Sequence, residues 1–138
     1  MGFSKLRINL GNKTPEQNKW ELVRYCTLSN NNVLGGASKL LSYFEKQYKP
    51  KYIISYADND YSQGKLYETL GFNNGKFTNI SYNYFNPKDG TLKNRFYHRK
   101  SELVKIGYDK NLTEFEITNQ MGLYRIYNSG TYKFEKHY

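Results

Sequence analysis

Phosphate chemistry is the first thing the chain offers. Asn30-Asn31-Asn32-Val33-Leu34-Gly35-Gly36-Ala37-Ser38 is a polar, glycine-containing turn ahead of a helical pattern. The first amides of a helix have no intrahelical acceptor, and the helix dipole favours an anion beside them. The backbone of Leu34, Gly35, Gly36, Ala37 and Ser38, with Asn32 beside it, is therefore a candidate phosphate cradle. The competing reading is that Gly35 and Gly36 only permit a tight strand-to-helix turn. Asp58 and Asp60 end the apolar run that starts at Tyr52, and open α/β sheets place ligands at such strand ends. Asp58 is a candidate base or a holder of an acceptor amine; aspartates also favour turns for purely local reasons. Ser55 and Tyr56 alternate to opposite faces of that strand.

A second cluster is basic and aromatic. Arg95, Arg99, Lys100 and Lys105 stand beside Phe96, Tyr97 and His98. Cations neutralise phosphates and rings stack on exposed bases, although an edge strand also carries such charges without any ligand. The net charge of +9 points the same way, toward a polyanionic partner such as DNA, or only to a solvated basic surface. No metal site is expected: the two histidines are far apart and no histidine–carboxylate spacing suggests ligation. A metal-dependent nuclease centre has no support either. Cys26 is the single cysteine, so an internal disulfide is excluded, and it reads as a small core residue of a strand.

Elements must position these groups. With 138 residues the chain is expected to form one domain, with a core over residues 1–98 and an extension over 99–138. Its 15 tyrosines and 8 phenylalanines supply apolar area and need hydroxyl partners where tyrosine is buried. Phe3 to Leu10 and Trp20 to Leu28 read as a strand pair across the polar connection Gly11 to Glu16. Ala37, Leu40, Leu41, Phe44 and Tyr48 share one face of a helix that Pro50 stops. The run from Tyr52 to Asp58 lacks alternation, as a strand covered on both faces does, and a helix joining two parallel strands requires a crossover. Asn73-Asn74-Gly75 marks a turn, and Phe77 to Phe85 reads as one tyrosine-rich strand. Pro87-Lys88-Asp89-Gly90 turns it into a returning arm from Leu92 to His98. Ser101 is the expected cap of a helix ending at Gly107. Thr113-Glu114-Phe115-Glu116 fits a capping box with a Leu112–Ile117 staple, for a helix stopping at Gly122. Leu123 to Tyr127 and Thr131 to Lys136 read as a final hairpin around Asn128-Ser129-Gly130.

The ordered series of strand, glycine turn, helix, strand and a short helix ending Leu66-Tyr67-Glu68-Thr69-Leu70-Gly71-Phe72 resembles the cofactor half of the GNAT acyltransferase fold. Asn32, Gly35 and Ala37 match the family's pyrophosphate loop, Arg/Gln-x-x-Gly-x-Gly/Ala, with Asn in place of Arg or Gln. Gly35-Gly36-Ala37-Ser38-Lys39-Leu40-Leu41, Ile54-Ser55-Tyr56-Ala57-Asp58 and Gly64-Lys65-Leu66-Tyr67 further resemble a phage domain found alone or behind nuclease modules in homing endonucleases, and the GNAT-like Mom-type DNA-modifying proteins. The resemblance implies an α+β fold with a mixed sheet and crossover helices, truncated at its N-terminal half, with a C-terminal helix-hairpin extension. It implies acetyl-CoA or a related CoA thioester on Asn32 and Leu34 to Ser38, and catalysis by Tyr67, as acid to the leaving thiolate, with Asp58 and Ser55. It implies a nucleic-acid acceptor, DNA first, gripped by Arg95, His98, Arg99, Lys100 and Lys105. A non-catalytic DNA-binding domain and a protein N-acyltransferase are the alternatives. The missing half of the sheet is expected to be covered by the extension or by a second subunit. No secretion signal and no long apolar run is evident, so a cytoplasmic protein away from membranes is expected.

Overall fold

The computed structural model describes residues 1–7, 17–73 and 75–138. Among them are four α-helices and eight strands, in a mixed five-stranded sheet and an antiparallel three-stranded sheet. The chain is α+β. It divides into two compact units, residues 1–78 with 130–138, and residues 79–129, so the units part at 78/79 and 129/130 rather than at 98/99. Among the described residues no helix is long and apolar enough to cross a membrane.

In the first unit β1 (Gly2–Lys5) pairs antiparallel with β2 (Lys19–Arg24). The expected strand residues 8–10 and the connection Gly11 to Glu16 lie outside the described residues, as does Asn74 of the expected turn. α1 (Gly36–Tyr48) connects β2 to β3 (Tyr52–Asp58), and β2 and β3 are parallel. Next come α2 (Lys65–Thr69) and β4 (Lys76–Thr78). The last strand of the chain, β8 (Thr131–His137), lies between β3 and β4 and is antiparallel to both, giving the order β1-β2-β3-β8-β4. The core lies on one face of this sheet, where Leu22, Ile53, Ala57 and Phe134 meet Leu41 and Phe44 of α1 and Leu70 and Phe72 from the α2 region. Leu40 and Tyr48, expected on the buried face of α1, are largely exposed. Ile53 and Ile54 are both buried, so β3 is covered on both faces, as its unbroken apolar run suggested. Cys26 is exposed and lies past the end of β2, not in a strand core.

In the second unit β5 (Tyr82–Asn86) is the middle strand, between β6 (Thr91–Asn94) and β7 (Tyr124–Tyr127). A 3-10 turn, Arg95–His98, precedes α3 (Lys100–Lys105), and α4 (Glu114–Gln120) follows. The core is Tyr84, Leu103, Ile117 and Thr118. The Tyr84 hydroxyl donates to Glu114 Oε1 at 2.8 Å, the Tyr82 hydroxyl to the same oxygen at 2.9 Å, and Arg125 Nε donates to the Tyr84 oxygen at 3.2 Å. The capping box is present, with Glu116 N donating to Thr113 Oγ1 and Thr113 N donating to Glu116 Oε2. Four expectations fail. Phe77 to Phe85 is not one strand, since β4 and β5 belong to different sheets. β7 and β8 do not pair as a hairpin: β7 joins β5, and β8 joins β3 and β4. The arm from Leu92 to His98 stops at Asn94, whose side chain accepts from Phe96 N at 3.0 Å and turns the chain into the 3-10 segment. Ser101 lies inside α3, whose N-cap is Arg99.

Candidate functional site

The site is built where two parallel strands stop pairing. Lys19, Trp20 and Glu21 of β2 lie against Tyr52, Ile53 and Ile54 of β3, and there the ladder ends. Both strands go on, to Arg24 and to Asp58. β3 keeps its partner on the other edge as far as Asp58↔Thr131, so the parting is on the β2 side. The first group past the ladder is Ser55, fully buried, whose Oγ donates to the Leu22 carbonyl at 2.7 Å. Parting at the carboxyl ends of parallel strands is where open α/β sheets hold ligands.

The glycine turn leads from the end of β2 into α1. Val33 O accepts from Gly36 N at 3.0 Å, and Gly35 O accepts from Lys39 N at 3.0 Å. Gly35 sits at φ +68°, the left-handed region that favours glycine. Gly36 is constrained differently: a Cβ there would lie 2.9 Å from Val33 Cγ1 and 3.4 Å from the Tyr25 hydroxyl. Two adjacent glycines thus meet two separate demands, handedness and close approach. No side chain caps α1 and no acid sits in its first turn. The amides of Ala37 and Ser38 have no protein acceptor among the described residues. They border a cavity of about 260 Å³ walled by the turn from Asn32 to Ser38, by Tyr25, and by Leu66, Thr69 and Leu70. A neighbouring cavity of about 290 Å³ runs along Tyr25 to Leu28 and Leu40. Every residue of the expected phosphate cradle therefore lines one cavity. The backbone groups and the cavity fit a bound phosphate ester, whereas the demand on Gly36 comes from Val33 and Tyr25 of the protein itself. Asn32 is exposed there.

Tyr67 does not line that cavity. Its ring is half-buried and stacks on Phe134 with centroids 4.8 Å apart, and Phe72 meets it edge-on at 5.7 Å. Its hydroxyl donates to the Tyr56 carbonyl at a long 3.3 Å. The ring packs in the core, as the structural reading of Tyr67 expects, and the hydroxyl ends at the Tyr56 carbonyl of β3. Asp58 is exposed and organises a turn: its Oδ1 accepts from Asp60 N at 3.0 Å and its carbonyl accepts from Tyr61 N and Ser62 N. Ser55 has its hydroxyl committed and out of solvent.

Sequence reasoning missed the other face of the same strands. Arg7, Tyr56, Thr78 and Thr131 line a cavity of about 440 Å³. Arg7 Nε donates to Glu21 Oε2 at 2.9 Å and its Nη2 donates to Glu21 Oε1, which satisfies a carboxylate that is only 2 % exposed. The same pair holds the Arg7 guanidinium above its ordinary range, and burial raises the Tyr56 phenol. Tyr25 was missed as well, although it touches Gly36 and borders both cavities of the turn. A residue just past a strand end carries no periodic signal that would single it out.

In the second unit the basic cluster does not present itself as one surface. His98 is buried, and burial, then Lys93, push its imidazole below the ordinary 6.5. It is not an exposed cation at neutral pH. Arg95 lies over the Tyr82 ring at 4.8 Å with its Nε buried. Lys105 pairs with Glu102 at 2.7 Å, while Arg99 lies over Phe96 at 3.9 Å and, like Lys100, is exposed. Among the described residues no group of three or more His, Cys, Asp or Glu is placed to hold a metal ion. Compared with known proteins, the chain matches no family model, and no curated protein matches it either.

Proposed function

We propose that the chain is a GNAT-like group transferase that takes an acyl-type group from a CoA thioester and places it on nucleic acid. One observation carries this reading: the unclaimed amides of Ala37 and Ser38 border a cavity walled by the glycine turn, by Tyr25 just past β2, and by α2. A diphosphate accepts hydrogen bonds from such amides and is favoured by the dipole of a 13-residue helix. The thioester would supply the activated carbonyl. The turn from Leu34 to Ser38 holds the anionic part of the donor. Tyr67 holds a proton at its Oη beside the Tyr56 carbonyl, and a phenol is a suitable acid for a thiolate of similar pKa. Ser55 acts by position, tying β3 to β2 at the point where they part. Asp58 stands exposed at the same strand end, where it can take a proton from an acceptor amine.

The nucleic-acid part rests on the charge of +9 and on the exposed Arg99, Lys100, Phe96 and Tyr97. The same residues support a second reading, a domain that binds nucleic acid without modifying it, because the Tyr67 hydroxyl already has a backbone partner. Mass spectrometry of nucleosides from DNA of cells expressing the protein separates the two. An acylated base present with the parent and absent with Tyr67→Phe is expected. Unmodified DNA from cells that contain folded protein would favour the second reading.

A further inference from the structure

The second unit contains a cavity that the transfer reaction does not use. It measures about 510 Å³ and is lined by Lys93, Tyr97, His98, Leu103, Ile106 and Met121. That volume is in the range of small-molecule sites, which combine apolar walls with few polar groups. Here the polar groups are an ammonium, an imidazole and the phenol of Tyr97. His98 is only 8 % exposed, and its Nδ1 has no hydrogen-bond partner. A buried polar atom left unsatisfied in a folded protein calls for a physical reason.

We propose that this cavity binds a small amphipathic carboxylate, with Lys93 and His98 at the anionic end and Leu103, Ile106 and Met121 around the apolar body. No acidic side chain lines the cavity, so a cationic ligand would meet the like charge of Lys93 with no carboxylate to offset it. A phosphate would give up its hydration against three apolar walls, at a cost those walls do not repay. A carboxylate on an alkyl or aryl body meets both halves of the lining. The groups facing His98 fit this choice. Burial and then Lys93 on β6 disfavour its charged form, whereas the nearby Asn94 backbone and Glu114 on α4 favour it. Tyr84 on β5 packs against the ring at 4.8 Å. A bound carboxylate adds a negative charge to this balance and offsets Lys93, so binding raises the His98 pKa. Tyr97 is 72 % exposed at the rim. This site stands whether or not the chain transfers acyl groups.

The test is an NMR titration of the full chain with 4-phenylbutyrate, observing methyl groups and His98. Saturable shifts confined to Leu103, Ile106, Met121 and His98 are expected, with an upward move of the His98 titration. Lys93→Met should weaken binding about tenfold or more, and so should Ile106→Glu, which changes an exposed residue. The uncharged 4-phenylbutanol needs no variant and should bind at least tenfold more weakly. Equal affinity for the alcohol, or for adenosine, would overturn the carboxylate assignment. Shifts that do not saturate at millimolar ligand, or that spread over the surface, would overturn the site.

Discussion

Tyr67 concentrates the functional question in one oxygen. Its ring is held by Phe134 and Phe72, and its hydroxyl by one long hydrogen bond. Tyr67→Phe keeps the ring contacts and should cost under about 1 kcal/mol of stability, while lowering turnover by about 10²–10⁴ if the phenol is the acid. Denaturant unfolding and single-turnover kinetics on the same preparation measure the two effects, and an unchanged rate would leave Tyr67 a core residue. On the opposite face of β3, Glu135 accepts from the Tyr52 hydroxyl at 2.7 Å and pairs with Lys133 at 2.6 Å. Lys133 first, then Tyr52, hold the Glu135 carboxyl down at about 2. Burial, then Glu135, push the Tyr52 phenol up to about 12. A lowered carboxyl contributes stability that is present above its ordinary 4.5 and is lost as pH falls toward 2. A raised phenol contributes stability that is present below its ordinary 10 and is lost as pH rises toward 12. Urea midpoints should therefore fall on both sides of neutrality. Glu135→Gln should flatten the acid side, and an unaltered acid limb would contradict this.

Single elements explain what the sequence did and did not reveal. The block from β2 to α2 was legible because each signal in it is local: the glycines at the turn, the 3.6-residue spacing of Leu41 and Phe44, Pro50 after the helix, and the unbroken apolar run of β3. The capping box of α4 was equally local. Thr113→Ala should cost about 1 kcal/mol in thermal or urea unfolding, and Leu41→Ala, which empties the α1 contact with the sheet, about 2–5 kcal/mol. The partner of β8 was not legible. Asn128-Ser129-Gly130 shows that the chain reverses but not which strand edge receives it. β8 fills the place between β3 and β4, about 80 and 55 residues upstream respectively, and such long-range pairing leaves no pattern in a short window. His98 misled for a related reason. The alternation of a strand was extended through it, whereas Asn94 ends the strand by accepting from Phe96 N. Asparagine favours this local bond in general, so that signal was present and was outweighed by the run of rings and charges.

At the scale of the whole chain the two readings of function share one expectation, binding to polyanions. Affinity for duplex DNA should fall steeply with salt, and replacing Arg99 and Lys100 by alanine should reduce the slope by about one unit per lost phosphate contact. Replacing Lys39 and Lys46 on α1 should matter less, and equal losses from both pairs would mean that the +9 charge acts without a defined face. The candidate cradle was legible as a list of residues, Asn32 and Leu34 to Ser38. Tyr25 and the parting of β2 from β3 were not, because the end of a parallel ladder is set by three-dimensional pairing. The most direct measurement is an acetyl-CoA titration of the full chain followed through its backbone amides. Saturable shifts centred on Ala37 and Ser38 are expected, together with a rise in melting temperature by mass action. Both should be lost in Gly35→Asp, which puts a carboxylate where a phosphate would lie. Amides at Ala37 and Ser38 that stay unmoved at millimolar acetyl-CoA would contradict the transferase.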